Sequence, residues 1–144
     1  MLDVGCGDGF LMEFLTRTRK AHCQGSDISE VSVRLAQKRG FDAKVVDAMS
    51  DEFYADSSYD YIVVCELSEH ISNPEKLIAK LRGAYNRALL VSVPSSAYFK
   101  HRPRLLCGRF PIQWGWHPSE HLRYWSVPDF RWWAGELGLE VAGV

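Results

Sequence analysis

No stretch of this 144-residue chain stays apolar long enough to span a membrane. No basic segment leads into an apolar one at its start, so no secretory leader is expected. The four cysteines, Cys6, Cys23, Cys65 and Cys107, form no C-x-x-C pair. That leaves neither a zinc knuckle nor a redox dithiol. Three lie in or beside apolar strand-like runs, where a thiol acts as a small hydrophobe. The expectation is reduced thiols in a cytoplasmic protein, with no membrane partner. Excess charge of one sign is also lacking. Lys and Arg number 17 against 18 Asp and Glu, a net charge of −1. This excludes a nucleic-acid footprint over the whole chain and leaves only a local basic patch open. Repeats, low-complexity tracts and interdomain linkers are absent. What is present is 47% hydrophobic and 24% charged, the composition and length of a single domain, residues 1–144.

Short β-type runs alternate with helical periods, the pattern of a mostly parallel α/β sheet with helices on both faces. Strands are expected at 1–4, 22–26, 43–46, 59–64 and 87–93, with a sixth at 139–144. The first helix carries Phe10, Leu11, Phe14 and Leu15 on one face. The second, capped by Ser29 and stopped by Gly40, carries Val31, Val33, Leu35 and Ala36. Asn73 and Pro74 are a cap and an N1 proline, opening a helix that buries Leu77, Ile78 and Leu81. Ser126 and Asp129 have capping-box spacing ahead of Phe130, Trp133, Ala134 and Leu137, and Gly138 ends that helix. Residues 95–125 fit no simple period, and a connection of that length is functional or carries small elements of its own.

The chemistry-bearing segment is LDVGCGDG, residues 2–9. It lies at a strand-to-helix junction, where bare glycine backbone lets a ligand approach closely. Its spacing is G-x-G-x-G, not the G-x-G-x-x-G of nicotinamide enzymes. A carboxylate follows each of the next three strands. Asp27 stands about 20 residues after the loop, where an acid accepts hydrogen bonds from ribose hydroxyls. Asp47, followed by Ala48, ends the third strand, and Glu66 follows the fourth. Ligands bind at this edge of an open parallel sheet. An acidic rim repels a pyrophosphate and suits a cation, which favours a sulfonium cofactor over a dinucleotide.

These residues closely resemble the class I S-adenosylmethionine-dependent methyltransferases, a Rossmann-like fold. LDVGCGDG is similar to their first motif, GSDIS (25–29) to the second-strand acid, and VVDA (45–48) to the adenine-side acid. YDYIVVCELSEHISNP (59–74) resembles the E-x-x-E-H-x-x-x-P segment of the small-molecule, type 11 branch. The resemblance implies that Gly5, Cys6, Gly7 and Gly9 form the loop at the methionine end of the cofactor, with Asp3 orienting its amino group. It implies that Asp27 binds the ribose, Ile28 packs on the adenine, Asp47 and Ala48 meet the adenine edge, and Cys65 and Glu66 line the other side. His70 is the candidate general base for an acceptor hydroxyl or amine, although an activated sulfonium methyl needs alignment more than a base.

The second half resembles the MetW methionine-biosynthesis family, through Gly108, Arg109 and Pro111 and through His121, Leu122, Asp129, Phe130, Glu136, Leu137 and Gly138. That family usually lacks the pair that stands here as Glu69 and His70. Two activities follow: methyl transfer to a small acceptor, or service as a regulatory partner of homoserine acyltransferase. The resemblance also implies a leading helix and a seventh strand that the sequence does not carry. A chain truncated at its ends is expected, with an open, weakly binding pocket and a free sheet edge.

His117-Pro118-Ser119-Glu120-His121 spells an H-x-x-E-H zinc motif. That motif needs a helix, and Pro128 with the run 124–127 leaves little room for one. No metal is expected, and His121 is read as a pocket or core residue. Lys100, His101, Arg102 and Arg104 form a solvated basic run open to an acidic substrate or partner. Trp132 and Trp133 are flank and core of the last helix. Trp114 and Trp116 suit a substrate lid or an interface.

Overall fold

The computed structural model describes residues 1–55, 59–109 and 121–143. They fall into two units, one of residues 1–67 and 73–92, the other of residues 68–72 and those from 93 onward.

In the first unit β1 (Leu2–Val4), α1 (Phe10–Arg19), β2 (Gln24–Asp27), α2 (Glu30–Lys38), β3 (Asp42–Val45), β4 (Tyr59–Cys65), α3 (Pro74–Leu81) and β5 (Tyr85–Ser92) follow one another. The five strands pair in parallel in the order β3-β2-β1-β4-β5. From β1 the chain steps outward through β2 to β3, then crosses back to β4 and steps the other way to β5. Crossovers in such sheets are right-handed, so reversing the direction puts α1 and α2 on one face and α3 on the other. The reversal lies between β1 and β4, and the carboxyl end of β1 is therefore a topological switch point. Ile62, Val63 and Val64 form a continuous buried run on β4, as a strand covered on both faces requires.

Two helices present different faces from those the periodicity suggests. On α1, Met12 is the buried residue, whereas Phe10 and Phe14 are 68% and 54% exposed. The helix is turned by about one residue, because Gly25 on β2 has no side chain and leaves a slot that Met12 fills. A Cβ on Gly25 would stand 2.8 Å from Met12 Cε and 2.7 Å from Cys6 Sγ. Cys6, Met12, Val33, Ala36 and Ala43 pack into one cluster there. On α2 only Val33 and Ala36 are buried, while Val31 and Leu35 are exposed. Helices α2 and α3 are capped by the residues expected: Ser29 Oγ accepts from Ser32 N–H at 3.3 Å, and Asn73 Oδ1 accepts from Lys76 N–H at 3.0 Å.

The second unit contains a 3-10 turn (Ser68–His70), the short α4 (Arg102–Leu106) and α5 (Val127–Glu136). Ser126 caps α5 in a reciprocal box with Asp129. Trp125, Phe130 and Trp133 pack with ring centroids 5.2–5.9 Å apart, and Trp132 is exposed. The sixth strand expected at 139–144 does not form over the described residues 139–143. There the chain closes α5 instead. Gly138 adopts φ +68°, its N–H donates to Gly135 O at 2.8 Å, and Leu139 N–H donates to Ala134 O at 3.0 Å. This Schellman closure takes the backbone groups at the strand's expected start.

Candidate functional site

The glycine loop leaves β1 at the switch point and turns back over the end of β2. Gly5 and Cys6 donate their N–H groups to Ser26 O at 2.7 and 3.0 Å. Gly7 N–H donates to Asp27 Oδ2 at 2.9 Å, and Ser29 N–H donates to Oδ1 of the same carboxylate at 2.8 Å. Asp27 thereby ties the loop to the start of α2. An ionised carboxylate has about four acceptor sites, so capacity for ligand hydroxyls remains. Two glycines have separate reasons to be glycine. Gly7, at φ +53°, has nothing within 4 Å of where a Cβ would stand, so the loop is open to a ligand there. Gly9, at φ +82°, presses its backbone on α2, with a Cβ position 3.1 Å from Ala36 Cβ.

Asp3, in the middle of β1, is 2% exposed. Burial, and then the nearby charge of Asp27, push its carboxyl up to about 6. The same burial, reinforced by Asp3 and Asp27, pushes the Cys6 thiol up to about 12. Its side chain sits in the α1–α2 cluster, which leaves only its backbone in the loop. Ile28 follows Asp27 and is 70% exposed, an apolar surface at the sheet edge. Arg39, at the end of α2, was not marked by any sequence motif. It bonds Glu13 of α1 and, at 2.7 Å, Asp8 of the loop. The carboxylate of Glu13 first, and Asp8 with it, holds the guanidinium above its ordinary value.

Asp47 forms a turn, its Oδ1 accepting from Met49 N–H at 2.8 Å. Lys80 of α3 reaches the Ala48 carbonyl at 3.5 Å. Cys65 is the last residue of β4, in register with Ser92. Glu66 holds φ +50°, uncommon for a residue with a side chain. Two bonds fix it there, Glu66 N–H to Ser92 O at 3.1 Å and Ser92 Oγ to Glu66 Oε1 at 2.9 Å.

The first unit thus brings Asp3, the loop, Asp27, Ile28, Asp47, Ala48, Cys65 and Glu66 to the carboxyl ends of its strands. His70 belongs to the second unit, beside His121. Sequence motifs gave no sign of that pairing. Pro111, Trp114, Trp116, His117 and Glu120 lie outside the described residues. A cavity of about 290 Å³ opens elsewhere in the first unit, lined by Leu2, Gln24, Lys44, Phe53, Tyr54 and Tyr59 among others. None of the candidate residues lines it, so it is not read as the cofactor site.

The chain is 36% identical over 85 residues to the ubiquinone biosynthesis O-methyltransferase of Hahella chejuensis, covering 55% of the chain and 35% of that relative. It spans about a third of the length of such curated relatives. A structure of the Haloferax volcanii Trm112 methyltransferase activator with a putative methyltransferase matches at a TM-score of 0.75 and 19% identity, over 99% of this chain and 62% of that one. The plantazolicin methyltransferase BpumL, in complex with a triazolic desmethylPZN analog and SAH, matches at 0.55 and 24%, over 62% of this chain and 36% of that one. A family model described as Methyltransferase domain matches residues 1–144, and the chain belongs to that family.

Proposed function

We propose that residues 1–144 act as one S-adenosylmethionine-binding domain and transfer a methyl group to a small-molecule acceptor. The observation that carries this is the open space at Gly7, whose N–H is held by Asp27 at 2.9 Å. The residues fit the cofactor chemically. Glycine backbone admits the methionine end, Asp3 supplies a negative charge for an ammonium, and Asp27 offers acceptors to ribose hydroxyls. Exposed Ile28 offers an apolar surface to a purine, beside Asp47 and Ala48, and Cys65 and Glu66 close the opposite side. When bound, the cofactor supplies a methyl group already activated on a sulfonium. The chain's part is to orient donor and acceptor and to keep water out. His70 is the candidate proton acceptor for a hydroxyl or amine substrate.

Calorimetry with S-adenosylmethionine and S-adenosylhomocysteine tests the reading. Charge-assisted hydrogen bonds contribute about 1.5–3 kcal/mol each. Asp27→Ala is therefore expected to weaken binding by more than about tenfold. Unchanged affinity makes Asp27 a turn residue and ends the proposal. A substrate screen on the same protein identifies the acceptor.

The likeness of Gly108, Arg109 and the 121–138 tail to MetW proteins favours a second reading: a regulatory or activating partner of homoserine acyltransferase with little activity of its own. Co-purification with that acyltransferase, without turnover in the screen, supports it. Either role suits a cytoplasmic protein. No helix among the described residues is long and apolar enough to cross a membrane.

A further inference from the structure

Within the second unit, two imidazoles and a carboxylate converge from distant parts of the sequence. Glu69 and His70 stand on the 3-10 turn, and His121 comes from the segment that leads into α5. The backbone fixes this meeting. Leu122 and Arg123 both donate their N–H groups to Glu69 O, at 2.7 and 3.2 Å, and Arg123 Nη2 donates to Ser72 O at 2.7 Å. The His70 and His121 rings then stand edge to face, with centroids 4.8 Å apart and planes at 86°. His70 Nε2 lies 3.9 Å from Glu69 Oε1. One donor atom from each of the three residues lies within 4.8 Å of the others. Glu69 is 1% exposed, and a carboxylate so buried is stable only beside compensating charge.

The geometry points to a binding site for one divalent first-row transition cation, held by Glu69, His70 and His121. Metal–ligand bonds of about 2.1 Å place donors roughly 3–3.5 Å apart around an ion. The observed span of 4.8 Å contracts to that range when side-chain rotations draw the donors onto one ion. Two imidazoles select zinc, cobalt, nickel or ferrous ions over magnesium and calcium, which take oxygen ligands. Three protein ligands leave a coordination position open to an exogenous oxygen. A ring nitrogen that holds the cation accepts no proton, so with the ion bound His70 is a ligand and not a general base. The H-x-x-E-H pattern pairs His121 with His117 and Glu120 along the sequence. The fold brings Glu69 and His70 to His121.

The test uses the full chain, stripped by chelation and titrated with Co²⁺ alone and with Zn²⁺ alone. One ion per chain is expected, with a saturable visible absorption for cobalt that excess Mg²⁺ does not abolish. His70→Ala and His121→Ala should each weaken uptake at least tenfold, and His101→Ala should leave it unchanged. Circular dichroism and thermal melting check that each variant is folded. The exposed His70 is the milder substitution and decides the matter if His121→Ala unfolds. No saturable cobalt signal overturns the assignment, and so does equal affinity in wild type and His70→Ala. Calorimetry with S-adenosylhomocysteine on the same metal-free samples reports the cofactor site separately, so either reading can fail without the other.

Discussion

Asp3 is an acid that the fold prefers protonated. Burial raises its carboxyl from 3.8 to about 6, so the folded chain binds this proton more tightly than the unfolded chain. Its contribution to stability is fully present below about pH 4 and is lost as the pH rises through about 6. Keeping Asp3 ionised at neutral pH costs the fold on the order of 3 kcal/mol. Asp3→Asn should remove that fall, seen as a flatter denaturation midpoint between pH 4 and 8. A cationic ligand has the opposite preference. Affinity for S-adenosylhomocysteine, with its ammonium group, should rise as the pH rises through about 6, and Asp3→Asn should flatten the profile. A wild-type affinity independent of pH over that range would separate Asp3 from the ligand. Glu66 carries strain of another kind, a positive φ held by Ser92. Strain of this sort persists where surrounding structure fixes it, often at functional sites. Glu66→Gly relieves the backbone while deleting the carboxylate. Stability should therefore change by less than cofactor affinity does, as paired melting and calorimetry would show.

At the scale of elements, packing between α1 and β2 turns on one missing side chain. A Cβ on Gly25 would meet Cys6 and Met12 at under 3 Å. Gly25→Ala is expected to destabilise the chain by about 1–3 kcal/mol through overpacking, read as a lower denaturant midpoint at unchanged slope. The same slot explains why the periodicity of α1 misled. Phe10 and Phe14 look like core by spacing, but β2 has room only where Met12 enters. Caps were more legible, since Ser29, Asn73 and Ser126 act on N–H groups three residues away, whatever lies beyond the helix. Ser126→Ala should cost about 1 kcal/mol by loss of the capping box on α5, measurable by the same denaturation.

At the scale of the molecule, a bound ligand acts on the whole folding equilibrium. Free S-adenosylhomocysteine at a hundred times its dissociation constant should stabilise the chain by about 2.7 kcal/mol, and the melting temperature should rise with it. Asp27→Ala at the same concentration should show a smaller shift. Equal shifts in the two proteins would place the ligand away from the acid rim.

The sequence by itself determined the order of the five strands and of α1, α2, α3 and α5, the caps, the glycine loop and the acids at the strand ends. Each depends on residues near one another in the chain, and alternation with turn chemistry records such neighbours directly. Tertiary structure alone decided which faces of α1 and α2 are buried, because that depends on the facing strand, whereas α3 buries Leu77, Ile78 and Leu81 as their spacing predicts. It decided that residues 139–143 close α5 and form no strand, a competition between backbone partners that composition does not reveal. It also decided that Arg39 reaches the loop and that His121 meets Glu69 and His70. Those contacts join residues far apart in sequence, and no local spacing encodes them.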